Sequence, residues 1–198
     1  MIHTWSVRIS EYIGKELNID QNKIAIVSYG LEVIIGAVIK LAFFILVPWK
    51  LGVLKEFMIA YLSFAFLRVM AGGIHCSAFY RCLLISVAAY LGIALLAISL
   101  DSFPLPYREL YWVVLALALL IVVVRAPVDV TEKPIICPRR RLLLKIISCL
   151  VITIYFLLSI LWEPRNVVYI ASGLAILFQV FTLTESGGKI FKLVDQII

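Results

Sequence analysis

Six long apolar runs, separated by short polar segments, dominate the pattern of this chain. The runs cover residues 26–47, 51–71, 80–100, 109–125, 142–162 and 166–183. A helix of about 17 to 25 apolar residues crosses the hydrocarbon of a bilayer. The segments between the runs contain proline, glycine and charged residues, which favour turns. The pattern therefore predicts an all-α, polytopic integral membrane protein with about six transmembrane helices joined as hairpins.

Both ends of the chain have an amphipathic pattern. Residues 1–23 place apolar side chains at helical spacing with charged residues between them, and residues 184–198 repeat this pattern more weakly. Helices of this kind lie in a membrane interface, although a solvated helix is the alternative for the N-terminal segment. We expect one membrane domain over residues 1–198, with an interfacial N-terminal segment (1–23), a six-span core (24–183) and an interfacial C-terminal tail (184–198).

Composition and charge agree with this assignment and orient the chain. Hydrophobic residues make up 64% of the 198 residues and charged residues only 15%, which excludes an ordinary soluble domain. With both termini cytoplasmic, most lysines and arginines fall on the inner side, as positive-inside sorting requires. That sorting explains the net charge of +6, so no nucleic-acid partner is predicted. Glu32 and Lys40 interrupt the first run, and we expect each to face protein or water.

The cysteines are predicted to be free thiols. In this topology Cys76, Cys82 and Cys137 lie on the reducing side, and Cys149 lies within a run, so a disulfide framework is not expected. The chain has only two histidines, and His75 with its neighbouring cysteines lacks the paired spacing of a zinc site. We therefore predict no metal and no cofactor.

The segment around Cys82 combines the parts of a cysteine nucleophile and its base. Cys82 opens the third run beside Arg81, where a cation and the helix dipole favour a thiolate. His75 supplies a general base. Cys76 is the second choice of nucleophile, because it lacks the setting of a helix start. The alternative interpretation is that the cysteine only fills space and the histidine is an interfacial residue.

The spacing of this pair constrains the backbone. Seven residues of straight helix rise about 10.5 Å, whereas a base reaches its nucleophile over ~3 Å. His75 and Cys82 therefore cannot meet on one straight helix. Gly72 and Gly73 permit positive φ, which predicts that His75 lies on a turn folded back toward Cys82.

These residues resemble a known family. The stretch Arg68…Gly72-Gly73-Ile74-His75…Cys82 is similar to the accessory gene regulator B (AgrB) proteins, integral membrane cysteine endopeptidases that process precursors of cyclic autoinducing peptides. Ala126-Pro127-Val128-Asp129 and Lys133-Pro134-Ile135 resemble the loop between the fourth and fifth spans of that family. The length and the six runs agree along nearly the whole chain.

The resemblance implies a two-residue protease site with Cys82 as nucleophile and His75 as general base and then acid. The substrate would be an AgrD-like propeptide, whose C-terminal tail is released to leave an acyl-enzyme thioester that closes into a thiolactone or lactone. It also implies a homodimer in the bacterial plasma membrane, with the active site on the cytoplasmic side. A membrane transporter or docking protein that holds a peptide without cutting it is the rival interpretation.

Other residues are expected to support this site. Arg68, Gly72, Gly73 and Arg81 are the candidate supporting residues, with Arg68 either orienting the histidine loop, binding a substrate carboxylate or anchoring the helix end. A basic group could bind the acidic tail of the precursor, although topology sorting alone also explains it. That group consists of Lys133, Arg139, Arg140 and Arg141. The chain departs from the family at Thr131 and Glu132, where basic residues are usual.

Overall fold

The computed structural model describes residues 2–74, 76, 78–129 and 135–197. These residues form eight α-helices and contain no β-strand. The helices are α1 (Ile2–Leu17), α2 (Gln21–Lys50), α3 (Leu54–Ala71), α4 (Phe79–Leu100), α5 (Tyr107–Arg125), α6 (Pro138–Leu161), α7 (Asn166–Phe181) and α8 (Glu185–Ile197).

Each of the six predicted runs corresponds to one helix, from α2 to α7, which confirms the all-α class. Most ends agree within a few residues. The first run differs, because α2 continues through Pro48 to Lys50, where the pattern predicts a turn. Proline in this position removes one backbone hydrogen bond and presses its ring against the carbonyl four residues earlier, and α2 ends two residues after it. The chain turns instead at Gly52, which has a φ of 70°.

The number of membrane spans differs from the prediction. By length and composition, four of the described helices can cross a membrane, namely α2, α4, α5 and α6. The pair α7 and α8 passes the same test together but bends by 90° at its break, so it adds a fifth span only as one broken helix. Lys55, Glu56 and Arg68 interrupt the apolar sequence of α3. The chain is a helical membrane protein, and six spans are not confirmed.

Residues 1–50 form one compact unit, in which α1 packs along α2. The buried face of α1 is made of small residues, and a Cβ at Gly14 would lie 2.4 Å from Cδ1 of Ile24. Glu32 in α2 accepts a 3.1 Å hydrogen bond from Nδ1 of His3, so this charged side chain has a polar partner within the unit. Lys40 lies 5.2 Å from the centre of the Phe44 ring.

The opposite face of α1 is apolar and exposed. Trp5 is 62% exposed and Tyr12 67% exposed, although aromatic residues of this kind normally avoid water. Amphipathic side chains of these types are enriched at membrane interfaces. The interfacial position expected for this helix stays a prediction.

Residues 51–198 form the second compact unit, which contains α3 to α8. Within it α7 packs against α3, α4 and α5. Ala171 and Ala175 of α7 and Ala60 of α3 have no exposed surface, because small residues let membrane helices approach closely. Close packing of this kind provides much of the attraction between helices in lipid, where apolar burial contributes little.

Overpacking one of these contacts should destabilise the bundle. Ala118 of α5 is fully buried, so Ala118→Leu should cost about 1–3 kcal/mol and lower the melting temperature in detergent. Ala116→Leu is the matched control, because Ala116 lies two residues away on the exposed side of the same helix. Equal melting temperatures for the two variants would contradict this description of the packing.

Candidate active site

Cys82 lies in the first turn of α4, where the apolar pattern places it. Its backbone N–H donates to the carbonyl of Ala78 over 3.1 Å, which is the first turn of hydrogen bonding in the helix. The side chain is partly exposed. The positive end of the helix dipole therefore lies beside this thiol.

A second thiol faces the first. Cys76, in the connection between α3 and α4, lies close enough to Cys82 for the two thiols to interact electrostatically. Burial raises the pKa of Cys76 to about 11, with further upward contributions from Cys82 and Asp195, and the Arg68 charge opposes them. A thiol with this pKa is almost entirely protonated at neutral pH and is a poor nucleophile. The raised pKa argues against Cys76 as the nucleophile, and the assignment of this role to Cys82 stays a prediction.

The connection leaves helical geometry at its two glycines. Gly72 has a φ of 71° and Gly73 a φ of 133°, which other residues rarely adopt. A Cβ at Gly72 would lie 2.3 Å from the carbonyl oxygen of Val128, and one at Gly73 would lie 1.9 Å from Nη1 of Arg68. Both positions therefore require glycine, and the non-helical backbone predicted here is present.

Arg68 binds this connection from the last turn of α3. Its Nη1 donates to Oγ1 of Thr182 over 2.9 Å, and its Nη2 donates to the carbonyl of Ile74. The guanidinium also lies within electrostatic range of both Cys76 and Cys82. Of the roles considered for Arg68, orienting the connection is the one that these contacts support.

Two polar residues at the end of α7 contribute to the same network, and neither belongs to the predicted site. Gln179 donates from Nε2 to the carbonyl of Gly72 over 2.9 Å. Thr182 donates from Oγ1 to the carbonyl of Gln179 over 2.7 Å. Both side chains are almost completely buried. Their signal in the sequence is a polar residue within an apolar run, since such residues in membrane helices usually serve a specific contact.

The connection that follows α5 packs on the glycine segment. The N–H of Val128 donates to the carbonyl of Ala71 over 3.0 Å, and Val128 forms an isolated parallel bridge with Gly72. Asp129, the next residue, forms an ion pair with Arg141. Two motifs that are more than fifty residues apart in the sequence are thereby brought together.

The other predicted site residues are placed as follows. Arg81 contacts α8, with its Nη1 3.7 Å from Oδ1 of Asp195. Arg139, Arg140 and Arg141 open α6 and are exposed. The predicted residues His75 and Lys133 lie outside the described residues. Within the described part of the chain, no group of three or more histidine, cysteine and acidic residues could hold a metal ion.

The basic opening of α6 is unfavourable for the helix itself. The first turn carries three arginines, whereas the helix dipole favours negative charge there. Each exposed charge of the wrong sign costs roughly 0.3–1 kcal/mol. Helix stability therefore does not explain these arginines, which leaves membrane orientation and binding of an acidic partner as their explanations.

The fold and this segment define a class of protein, a helical membrane protein with one thiol on a glycine-containing connection between two helices and a second thiol in the first turn of the helix that follows. Comparison with known proteins identifies the family. The family model described as accessory gene regulator B matches residues 6–183, so the chain belongs to the AgrB family, which takes part in autoinducing-peptide processing.

Individual relatives agree along most of the chain. A protein named as AgrB-like in Clostridium perfringens strain SM101 is 26% identical over 208 aligned positions, which cover 99% of this chain and 97% of the relative. An AgrB-like protein of Clostridium beijerinckii is 28% identical, and the alignment covers 94% of this chain and 92% of that relative. An AgrB-like protein of Listeria welshimeri is 29% identical, and the alignment covers 84% of this chain and 79% of that relative. No solved structure matches the chain.

Gly73→Ala should disrupt the segment around the thiols. The new Cβ would collide with the Arg68 guanidinium at a φ that alanine disfavours, so we expect a loss of about 1–3 kcal/mol and a lower melting temperature. Gly92→Ala in α4 is the matched control, because nothing lies within 4 Å of its added Cβ and alanine favours a helix. A melting temperature of Gly73→Ala as high as that of Gly92→Ala would show that this geometry is wrong.

Proposed function

We propose that this protein is a membrane cysteine endopeptidase that cleaves the C-terminal tail from an AgrD-like propeptide, with Cys82 as nucleophile and His75 as general base and acid. The observation that carries the proposal is the position of the Cys82 thiol. It lies in the first turn of α4, in electrostatic range of the Arg68 guanidinium, next to a connection that is hydrogen-bonded to α3 and α7. Membership of the AgrB family supports the class of substrate.

The reaction would proceed in two stages. The Cys82 thiolate attacks the carbonyl carbon of the scissile peptide bond, and the C–N bond breaks as the protonated His75 gives its proton to the leaving amine. This releases the tail and leaves an acyl-enzyme thioester. A cysteine or serine of the bound segment then attacks the same carbonyl while the neutral His75 takes its proton, and the C–S bond breaks. The product is a thiolactone or lactone, with Cys82 restored as thiolate and His75 as imidazolium.

Ring closure requires that water does not reach the thioester first. An internal nucleophile held near the carbonyl has a very high effective concentration, and exclusion of water suppresses hydrolysis. The hydrogen bonds of Arg68 and Gln179 fix the connection beside Cys82. These contacts would hold the connection in place during ring closure.

We propose that the exposed arginines at the start of α6 bind the acidic tail of the precursor. Arg141 is already paired with Asp129, so Arg139 and Arg140 are the principal candidates, together with Lys133. Asp129 belongs to the segment that packs on Gly72. The start of α6 is thereby connected, through Asp129 and Val128, to the glycine segment that precedes Cys76. This supports binding of the tail near the candidate active site. The homodimer and the cytoplasmic location of the active site stay predictions.

Loss of the Cys82 thiol should abolish cleavage without preventing binding. We expect Cys82→Ala to release no tail fragment from a co-expressed AgrD-like precursor, as measured by mass spectrometry, while the precursor still copurifies with it. Cys76→Ala is the matched control and should retain cleavage, because Cys76 is protonated at neutral pH.

Other outcomes would change the assignment. Cleavage lost only in Cys76→Ala would move the nucleophile to Cys76. A precursor that is bound and translocated but never cut by the wild-type protein would contradict the peptidase and favour the transport interpretation.

Removal of positive charge at the start of α6 should weaken substrate binding more than chemistry. We expect the double variant Arg139→Gln/Arg140→Gln to raise KM for the precursor roughly tenfold at low salt, with kcat changed little, because each exposed charge pair contributes up to about 1 kcal/mol. The control is Lys50→Gln/Lys55→Gln, which removes the same amount of charge at the end of α2 and the start of α3. Equal KM values for the two double variants would refute tail binding at α6.

A further inference from the structure

The C-terminal helix α8 lies against the connection between α3 and α4 that carries Cys76. It begins at Glu185 after a bend of 90° from α7, and Oγ1 of Thr184 accepts a 3.1 Å hydrogen bond from the N–H of Gly187. This is the capping contact expected at a helix start. The family match ends at residue 183, so α8 lies beyond the part of the chain that the family model describes.

The approach of α8 to the connection is close. A Cβ at Gly188 would lie 2.8 Å from Cδ1 of Ile74, and a larger residue would push the two segments apart. Phe191 of α8 packs against Phe178 of α7 with ring centres 5.8 Å apart. An apolar contact thus fixes the middle of α8 against the bundle.

The far end of α8 contacts the start of α4. The guanidinium of Arg81 lies 3.7 Å from the carboxylate of Asp195 and also donates to the backbone carbonyl of Asp195. The side chains are only 25% and 17% exposed. This differs from the pair between Arg125 and Glu185 at the other end of α8, in which Glu185 is 77% exposed.

We propose that Asp195 is a positioning residue of the active site, which holds Arg81 and thereby fixes the first turn of α4 that carries Cys82. The proposal rests on the peptidase function above and extends the site to α8. Cys82 follows Arg81 directly in the first turn of α4, so a displacement of the Arg81 side chain and backbone is transmitted to the nucleophile. Misplacement of a reacting group by about 1 Å costs as much as 100-fold in rate.

The charges around Cys76 agree with this placement. The groups that face Cys76 are Cys82 of α4, Asp195 of α8 and Arg68 of α3. Asp195 thus lies close to two parts of the candidate site, Cys76 in the connection and Arg81 in the first turn of α4. Removing one partner of a partly buried ion pair costs more free energy than removing one partner of an exposed pair, because the remaining charge is less well solvated.

Steady-state kinetics on the full-length protein in nanodiscs test the proposal. Asp195→Asn should lower kcat for the AgrD-like precursor roughly tenfold with KM nearly unchanged, and Asp195→Glu should recover a large part of that loss. Combining Asp195→Asn with Arg81→Gln should be no slower than the slower single variant, because both remove one interaction. Glu185→Gln is the matched control on the same helix and should keep the wild-type kcat.

A second readout needs no substrate. Iodoacetamide labelling of Cys76, quantified on its own peptide by mass spectrometry, should be about threefold faster in Asp195→Asn, because the carboxylate that disfavours the Cys76 thiolate is gone. Glu185→Gln should label at the wild-type rate.

The two readouts separate the proposals. An unchanged kcat in Asp195→Asn, with Cys82→Ala inactive, would overturn the role of Asp195 and leave the peptidase intact. If the wild-type protein cuts no precursor, the proposed peptidase function is wrong. The labelling of Cys76 then still tests the role of Asp195. Equal labelling rates in Asp195→Asn and Glu185→Gln would overturn that role.

Discussion

The candidate site depends on one partly buried cation. Arg68 donates to Thr182 of α7 and to the carbonyl of Ile74, so a single guanidinium joins the end of α3, the end of α7 and the connection that leads to Cys82. Non-helical backbone near a membrane needs partners for its polar groups, and Gln179 supplies another by donating to Gly72. Without these contacts, the connection would lack both its shape and its hydrogen bonds. The charge of Arg68 also faces the thiols.

The same constraint explains the residues that surround Arg68. Gly73 must lack a side chain because the guanidinium occupies that space, and Gly72 must lack one because Val128 lies against it. The glycine motif and the described part of the second motif, residues 126–129, therefore form one structural unit, in which the segment after α5 packs on the glycines. An enzyme that must keep water from a thioester benefits from such a tightly bonded segment. The exposed arginines of α6 lie at the edge of this unit through the pair between Arg141 and Asp129.

The sequence predicted the helices well and the contacts of the site only in part. Apolar runs report the helices directly, because lipid requires long uninterrupted apolar segments. The glycines predicted a break before Cys82, which is present. The pattern did not identify Gln179, Thr182 or Asp195, because their role depends on contacts between segments more than a hundred residues apart. It also placed the turn after the first run too early, since α2 continues for two residues beyond Pro48 although proline disfavours a helix at that position.

The proposed peptidase chemistry requires that Cys82 forms a covalent intermediate with the precursor. Mass spectrometry of the protein after an acid quench during turnover, followed by digestion, would locate any acyl group. We expect an adduct on the peptide that contains Cys82, with the mass of the precursor minus its tail, which hydroxylamine removes as it does other thioesters. An adduct on Cys76, or tail release without any adduct on a cysteine, would contradict it.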